Sequence, residues 1–536
     1  MALSRTRSVA LDGVQGHLVE VETDIGAGLP KTILVGLPDA SLNEAKDRCR
    51  AAVANSGHTW PNRRVTIALS PASLPKAGSH YDLAIALAVI AAAGDVPTEP
   101  LERTVLIGEL ALDGRLRAVP GVLPAALAAS GAGYERIVVP EPNAGEAALV
   151  PGMSVLGVRS LRQTTALLRG DDPPDEPPVP ALTAELRLAW RGDERVAALD
   201  LADVLGQPEA RKSLEVAAAG GHHLLLDGPP GAGKTMLAER LPGLLPDLDH
   251  DESLEVSAVH SIAGVLAADV PLVRRPPFLD PHHTASPASV IGGGSRVIRP
   301  GAISLAHRGV LFLDEAPEFN VRVLESLRQP LESGEIVISR AEGGARYPAR
   351  FLLVLAANPC PCGKNYGAGL SCVCSPAAQR RYRDRISGPV RDRIDIHRRV
   401  GPVSRRELRD DLAFVESSDV VAERVAVARE RQSERFAGRP WRRNGEMPGP
   451  ALRRDWPIDA DAAAPVEHRV QVGGLTARGA DRVFRLAWTL ADLAGRGRPS
   501  TDDVYAAMAL RTSEPLTEPS GAPSRHSGVQ PFARLG

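Results

Sequence analysis

Along the chain, short apolar runs bounded by glycine and proline alternate with alanine-rich stretches, the pattern of strands wound with helices. Residues 65–69, 104–110 and 136–139 read as strands, and 84–93 and 125–129 as helices, so residues 1–170 are expected to form an α/β domain. The sequence DDPPDEPPVP at 171–180 combines proline with acid and cannot bury apolar surface, which predicts a linker over 171–197. Beyond it, 224–227 reads as a buried strand entering a glycine-rich turn, with a helix over 235–245. The runs 310–313 and 351–356 repeat the uninterrupted apolar signature of a parallel sheet. Helical periodicity dominates 404–511 apart from a polar Arg/Pro/Trp loop at 438–457. The Pro, Ser and Gly of 516–536 predict a disordered tail.

Length and composition narrow the class. At 536 residues the chain exceeds one compact core, so several domains are expected. The formal charge of −2 hides an excess of arginine over lysine, gathered in places such as Arg380, Arg381, Arg383 and Arg385; net charge therefore neither requires nor excludes nucleic acid. No run of about 18 apolar residues predicts a transmembrane helix. Asp12, Gln15 and His17 interrupt the first twenty residues, which therefore do not read as a signal peptide, and a cytoplasmic location is expected.

The strongest local signal is Gly228, Pro229, Pro230, Gly231, Ala232, Gly233, Lys234 and Thr235, which fits G-x-x-x-x-G-K-[ST] between a strand and a helix. Such a loop wraps phosphate oxygens with backbone N–H groups at a helix N-terminus; Lys234 reaches the outer phosphates and Thr235 ligates Mg²⁺, which makes ATP and Mg²⁺ the expected cofactors. Downstream, VLFLDE (310–315) delivers Asp314 and Glu315 to the end of an apolar strand. With a P-loop present, Asp314 is expected to hold the Mg²⁺ shell and Glu315 to orient and deprotonate the attacking water. Asn358 follows the third strand and precedes Pro359, which leaves two readings, a contact to the γ-phosphate or water and a turn residue.

Four of the five cysteines crowd together as Cys360, Cys362, Cys372 and Cys374. Two C-x-C pairs nine residues apart offer four thiolates to one tetrahedral Zn²⁺, although thiolates alone also suit an iron–sulfur cluster. Such a site would stiffen a loop rather than perform chemistry. Cys49 is isolated and reads as structural.

Several further motifs carry a family resemblance: PHHTAS (281–286), GGG (292–294), PGAISLAH (300–307), SRA (339–341), NPCPCG (358–363), SGPVRDRIDIH (387–397) and LTARGADRVFRLAWTLADL (475–493). In this order they resemble the magnesium-chelatase-like AAA+ ATPases of the YifB/ComM family over almost the whole chain. The resemblance implies an α/β AAA+ P-loop core with a parallel sheet at 198–402, carrying a helix-2 insert, a hairpin before sensor 1 and the cysteine cluster, and then a helical lid at 403–515. It implies a homo-hexamer with nucleotide at subunit boundaries, Arg393 as the arginine finger, Arg478 as sensor 2 and Asn358 as sensor 1. The insert near 277–300 and the hairpin 335–347 match pore-facing elements of related helicases, which makes Arg340 and Arg346 candidates for phosphate-backbone contacts. His282 and His283 are read as structural or pore-loop residues.

The segments 71–94 and 107–129 resemble the Lon-protease-like fold. His80 falls near the serine position with Ser79 one place early, and no lysine lies between residues 101 and 129, so the Ser/Lys dyad is absent. An assembly or DNA-handling role is expected there instead of proteolysis. As a whole, the resemblance implies a DNA helicase or branch-migration motor acting on branched or single-stranded DNA; the alternative is a chelatase-like motor that remodels a protein partner for metal insertion. The run from Gln379 to Arg385 sets Tyr382 among arginines, which fits either base stacking or a solvated helix face.

Overall fold

The computed structural model describes residues 2–36, 40–74, 76, 78–182, 196, 198–294, 298–340, 343–367, 371–403, 407, 409 and 415–516. The tail 517–536, much of the expected linker and the side chain of Arg340 lie outside the described residues. The fold is mixed α/β and divides into two units that interleave along the sequence. The first comprises Met1–Ala197, Asp247–Leu311 and Phe319–Phe351; the second comprises Ala198–Pro246, Phe312–Glu318 and Leu352–Gly536.

The first unit is built on a seven-stranded mixed sheet in the order Lys31–Val35, Arg64–Ser70, Gln15–Gly26, Ala2–Asp12, Thr104–Leu106, Arg136–Pro140 and Ser154–Val158. The two N-terminal strands pair antiparallel across a two-residue turn at Gly13, whose φ of +58° is the left-handed conformation glycine tolerates best. Alternation sorts side chains between two cores. Ala10, Val19, Leu106 and Val138 pack on one face with the helix Asp82–Ala92, all of whose residues are buried. Val9, Val105, Ile137 and Val139 pack on the other with Val122–Gly131 and with Ala258 of the helix His250–Ala263. Each large apolar side chain buried this way contributes about 1.5–3 kcal/mol. The expected strand 104–110 is two strands, Thr104–Leu106 and Glu109–Leu110, because the backbone N–H of Gly108 is committed to the carbonyl of His80 and the chain turns there.

In the second unit, Leu224–Asp227 lies between Leu352–Ala357 and Ile396–Arg399 and runs parallel to both; Phe312 and Leu313, which end the strand begun at Val310, lie on the far side of Leu352–Ala357. Buried on both faces, Leu224–Asp227, Val310–Leu313 and Leu352–Ala357 need no alternation, which is why they read as apolar runs. The helix expected over 235–245 is Lys234–Arg240, because Pro242 opens a separate short turn. The helices Ser418–Arg435, Ala460–Gln471, Ala477–Leu493 and Thr501–Thr512 follow, and the expected loop 438–457 contains a further helix, Gly449–Asp455. That segment is held by an aromatic cluster: Phe436, Met447, Leu452 and Trp488 are buried, with Trp441 and Trp456 packed against them. Arg435 lies 4.4 Å over the Trp488 ring and pairs with the buried Asp492.

Candidate active site

The loop from Gly228 to Thr235 begins where the central strand ends. Gly228 donates its N–H to Ala357 O at 3.1 Å. A Cβ on Gly228 would stand 2.0 Å from Val400 O, so this glycine answers a close backbone approach. Lys234 opens the following helix with its ammonium turned back over the loop, donating to Gly228 O at 2.6 Å, Pro229 O at 2.9 Å and Asn358 Oδ1 at 3.1 Å. Burial lowers the Lys234 pKa while the nearby Asp314, Asp227 and Glu315 oppose that shift.

Thr235 donates its hydroxyl to Asp314 Oδ2 at 2.6 Å, and the other Asp314 oxygen accepts the backbone N–H of Glu315 at 2.8 Å. The hydroxyl and the carboxylate that would share a Mg²⁺ ion therefore already touch, and this oxygen-donor pair suits a hard cation. Glu315 takes a φ of +50°, an uncommon left-handed backbone for a non-glycine residue, at the C-terminal end of its strand. Of the candidates, Lys234, Thr235, Asp314, Glu315 and Asn358 thus come from three adjacent strand ends, the edge at which open α/β sheets bind ligands.

The arginines are placed differently. Arg393 is 6% exposed and donates to Pro389 O at 2.7 Å, so it is tucked into its own chain. Its acidic neighbours are gripped by the helices Ala477–Leu493 and Thr501–Thr512. Asp392 faces Arg478 at 3.6 Å and Arg511 at 3.2 Å, while the buried Asp395 accepts from Arg482 and from the His223 backbone N–H at 3.0 Å. Burial opposes the charge on Asp395, but Arg482 and then the neighbouring imidazoles hold its carboxyl well below the usual range. Sequence reading missed Asp392, Asp395, Arg482 and Arg511 as a network; the DRID spacing with arginines four apart on a later helix was its only trace.

Tyr382 was also misread. Amid exposed Arg380, Arg381, Arg383 and Arg385 it is the one buried residue of its helix, Pro376–Asp384, with Glu318 and Asn358 near its hydroxyl. Burial and then Glu318 push its pKa up. It is therefore closed to base stacking and belongs to the Asn358 neighbourhood.

The four cysteine sulfurs lie within 4.8 Å of one another. Cys360 is 3.4 Å from Cys362 and 3.7 Å from Cys372, and Cys362 is 3.7 Å from Cys372. These are contact distances far longer than a disulfide. The backbone N–H of Lys364 is the chief influence that draws the Cys362 thiol down to about 6. Cys49 is buried against the carbonyl of Asp82.

In the first unit, Ser79 donates to Glu109, His80 Nε2 lies 2.9 Å from Val9 O, and Lys76 donates to Pro71 O. Among the described residues no Ser–Lys hydrogen bond forms there. Arg346 is exposed on its hairpin and paired with Glu335 at 3.1 Å. His282 bonds Thr284 at 2.7 Å, with the His283 ring 4.2 Å from its own. No helix among the described residues is long and apolar enough to cross a membrane.

Comparison with known proteins places this geometry. Residues 200–408 match the family described as magnesium chelatase, subunit ChlI; residues 21–143 match subunit ChlI of Mg-chelatase; and residues 415–511 match magnesium chelatase, subunit ChlI C-terminal. The chain is 52% identical over 516 residues to an uncharacterized protein of Mycobacterium tuberculosis, covering 95% of this chain and 99% of that one. It is 41% identical over 494 residues to the uncharacterized protein YifB of Escherichia coli, and 40% identical over 495 residues to the competence protein ComM of Haemophilus influenzae. Each alignment spans 92% of this chain and 94% of the relative.

Proposed function

Since the chain belongs to the YifB/ComM family of magnesium-chelatase-like proteins, we propose that it is an ATP-hydrolysing AAA+ motor that assembles as a homo-hexamer and moves branched or single-stranded DNA. The observation that carries the ATPase reading is the convergence of Lys234, Thr235, Asp314 and Asn358 within hydrogen-bond distance at one sheet edge. Thr235 and Asp314 would hold Mg²⁺, which when bound would supply charge neutralisation at the transferred phosphoryl group. Lys234 binds the outer phosphates, Glu315 takes the proton of the attacking water, and Asn358 orients that water. The four thiols of Cys360, Cys362, Cys372 and Cys374 would hold Zn²⁺ as a structural ion outside the reaction.

Arg393 completes a neighbour's site once it leaves Pro389, and Arg478 reads nucleotide from the lid by exchanging Asp392 for phosphate. The reading assigns 1–170 to a Lon-like module without peptidase chemistry, 198–402 to the motor core and 403–515 to the lid. DNA is favoured as the cargo by the similarity to a competence protein over most of both chains. The match of 200–408 to a magnesium chelatase subunit supports a second reading, a motor that remodels a protein partner for metal insertion.

The test measures ATP hydrolysis and strand separation with and without forked or four-way DNA, with Lys234→Ala as the inactive control. Stimulated hydrolysis and unwinding are expected. Hydrolysis that ignores DNA, with no unwinding, removes the helicase reading and leaves the remodelling motor.

A further inference from the structure

The arginines of the helix Pro376–Asp384 have no task in the ATPase reading. Residues 376–385 carry four arginines and one acid, Asp384. Arg385 commits its charge to Glu318 at 3.3 Å. Arg380, Arg381 and Arg383 are exposed, and none of the three forms an ion pair with a described residue. At about 100° per residue, these three fan over one side of the helix, opposite the buried Tyr382. Arg380 stands one turn from Arg383, and Arg381 one turn from Arg385, spacings at which like charges repel. A helix of 9 residues has little stability of its own to set against that repulsion.

Its surroundings hold it instead. Ser375 caps it through Ala378 N at 3.2 Å, and Gln379 donates to Cys374 O at 3.2 Å while accepting from Asn365 at 3.0 Å. Arg391 donates to Arg383 O at 2.9 Å, which sets a further, half-buried cation behind the last turn. The fold thus fixes a platform whose outward charge it does not neutralise.

We infer that Arg380, Arg381 and Arg383 are a contact surface for the phosphate backbone of DNA. This rests on the DNA reading given above. Charge complementarity calls for a polyanion, and the planar guanidinium fork matches phosphate oxygens two at a time. Tyr382 is the one aromatic ring of this helix and is buried, so the face offers charge without base stacking. Contacts of that kind hold DNA irrespective of its sequence. On the hairpin, Arg346 is already paired with Glu335 at 3.1 Å, whereas the three helix arginines have no acid to leave before they reach phosphate.

The experiment uses the full chain and the fluorescence anisotropy of labelled forked DNA, titrated at salt concentrations between about 50 and 200 mM. The variants are Arg380→Gln, Arg381→Gln and Arg383→Gln, singly and combined, and Arg380→Lys, Arg381→Lys and Arg383→Lys combined. Arg385→Gln is the control, since Glu318 already offsets that charge. The slope of log affinity against log salt should fall by about 0.7–0.9 for each glutamine, and so by about 2–2.7 in the triple variant. The lysine triple variant and Arg385→Gln should keep the wild-type slope, and the loss should be equal for unrelated sequences. If wild type and the glutamine triple variant share one slope, the surface is overturned and the DNA reading stands. Wild type that binds no DNA at the lowest salt overturns both. An equal fall in the lysine variant, or a loss confined to one sequence, overturns contact through charge alone. A glutamine triple variant that keeps its slope but no longer assembles on sedimentation overturns the assignment in favour of a second copy of the chain. Should that variant fail to fold by circular dichroism, the single variants decide by the same slope.

Discussion

Replacing Asp395 by asparagine keeps the size of the side chain and removes its charge from a site that is 1% exposed. The carbonyl oxygen can still accept the His223 N–H, so the loss is electrostatic. Arg482, 8% exposed and in direct contact with Asp395, is left without its counter-charge, and the mostly buried Arg485 nearby loses the same support. Stranding a buried charge in this way costs about 3–5 kcal/mol, a large part of the roughly 5–15 kcal/mol that holds a domain together. Urea unfolding followed by tryptophan fluorescence suits the question, because Trp441, Trp456 and Trp488 share one aromatic cluster in the same unit. With a slope of about 1–3 kcal/mol per molar urea, the midpoint should fall by at least about 1 M. Asp395→Leu combined with Arg482→Met should recover much of the loss, since a hydrophobic pair of similar size avoids the desolvation penalty. A loss under about 1 kcal/mol in Asp395→Asn would refute the picture of the helices Ala477–Leu493 and Thr501–Thr512 pinned to the Asp392–Asp395 segment by buried charge.

Glu315→Gln should retain ATP binding while turnover falls at least ~100-fold; unchanged turnover in a hydrolysis assay would remove Glu315 as the base. Gly228→Ala should abolish binding of a fluorescent nucleotide, because its Cβ would overlap the Val400 carbonyl, which is backbone and cannot swing aside; normal affinity would contradict that close approach. Stability should decline in mild acid. The His222 and His260 imidazoles are fully buried and His223 is partly buried, and burial pulls each down to about 4. The unfolded chain takes up these protons near pH 6.5, so their penalty is absent above that pH and grows as pH falls toward 4, by up to about 1.4 kcal/mol per pH unit for each ring. Urea midpoints that stay flat from about pH 7.5 to about 5 would count against neutral burial of these rings.

The P-loop and the Asp314–Glu315 strand end were legible because their chemistry is local: glycines, a lysine and two carboxylates at fixed offsets beside strands buried on both faces. The strand Ala2–Asp12 was not legible, for a reason visible in its packing. Its positions Ser4, Thr6 and Ser8, on the face toward Asp82–Ala92, are all buried, so this core face reads as polar as the opposite face with Arg5 and Arg7. Thr6 donates to Ala84 O at 2.9 Å and Ser4 to Ala88 O, tying the strand to the all-buried helix behind it. Hydrophobic alternation cannot report a strand whose core contacts are hydroxyls. Tyr382 escaped for the opposite reason: four arginines around it gave the run the look of a solvated face, and only the fold brings Glu318 and Asn358 to its hydroxyl. The ion-pair network around Asp392 and Asp395 joins residues about ninety or more positions apart, beyond the reach of any local pattern.

For a chain emerging from the ribosome, the order of parts matters. The first unit needs Asp247–Leu311 and Phe319–Phe351, so residues up to Ala197 wait while the P-loop segment is made before their own unit can close. At roughly 5–20 residues per second that delay is on the order of ten seconds. Throughout it, the surface of Val122 and Ala125 that later receives the helix His250–Ala263 stays wet and apolar, a transient target for chaperones. A fragment cut after Ala197 would carry that bare surface permanently, and it should aggregate where the full chain does not.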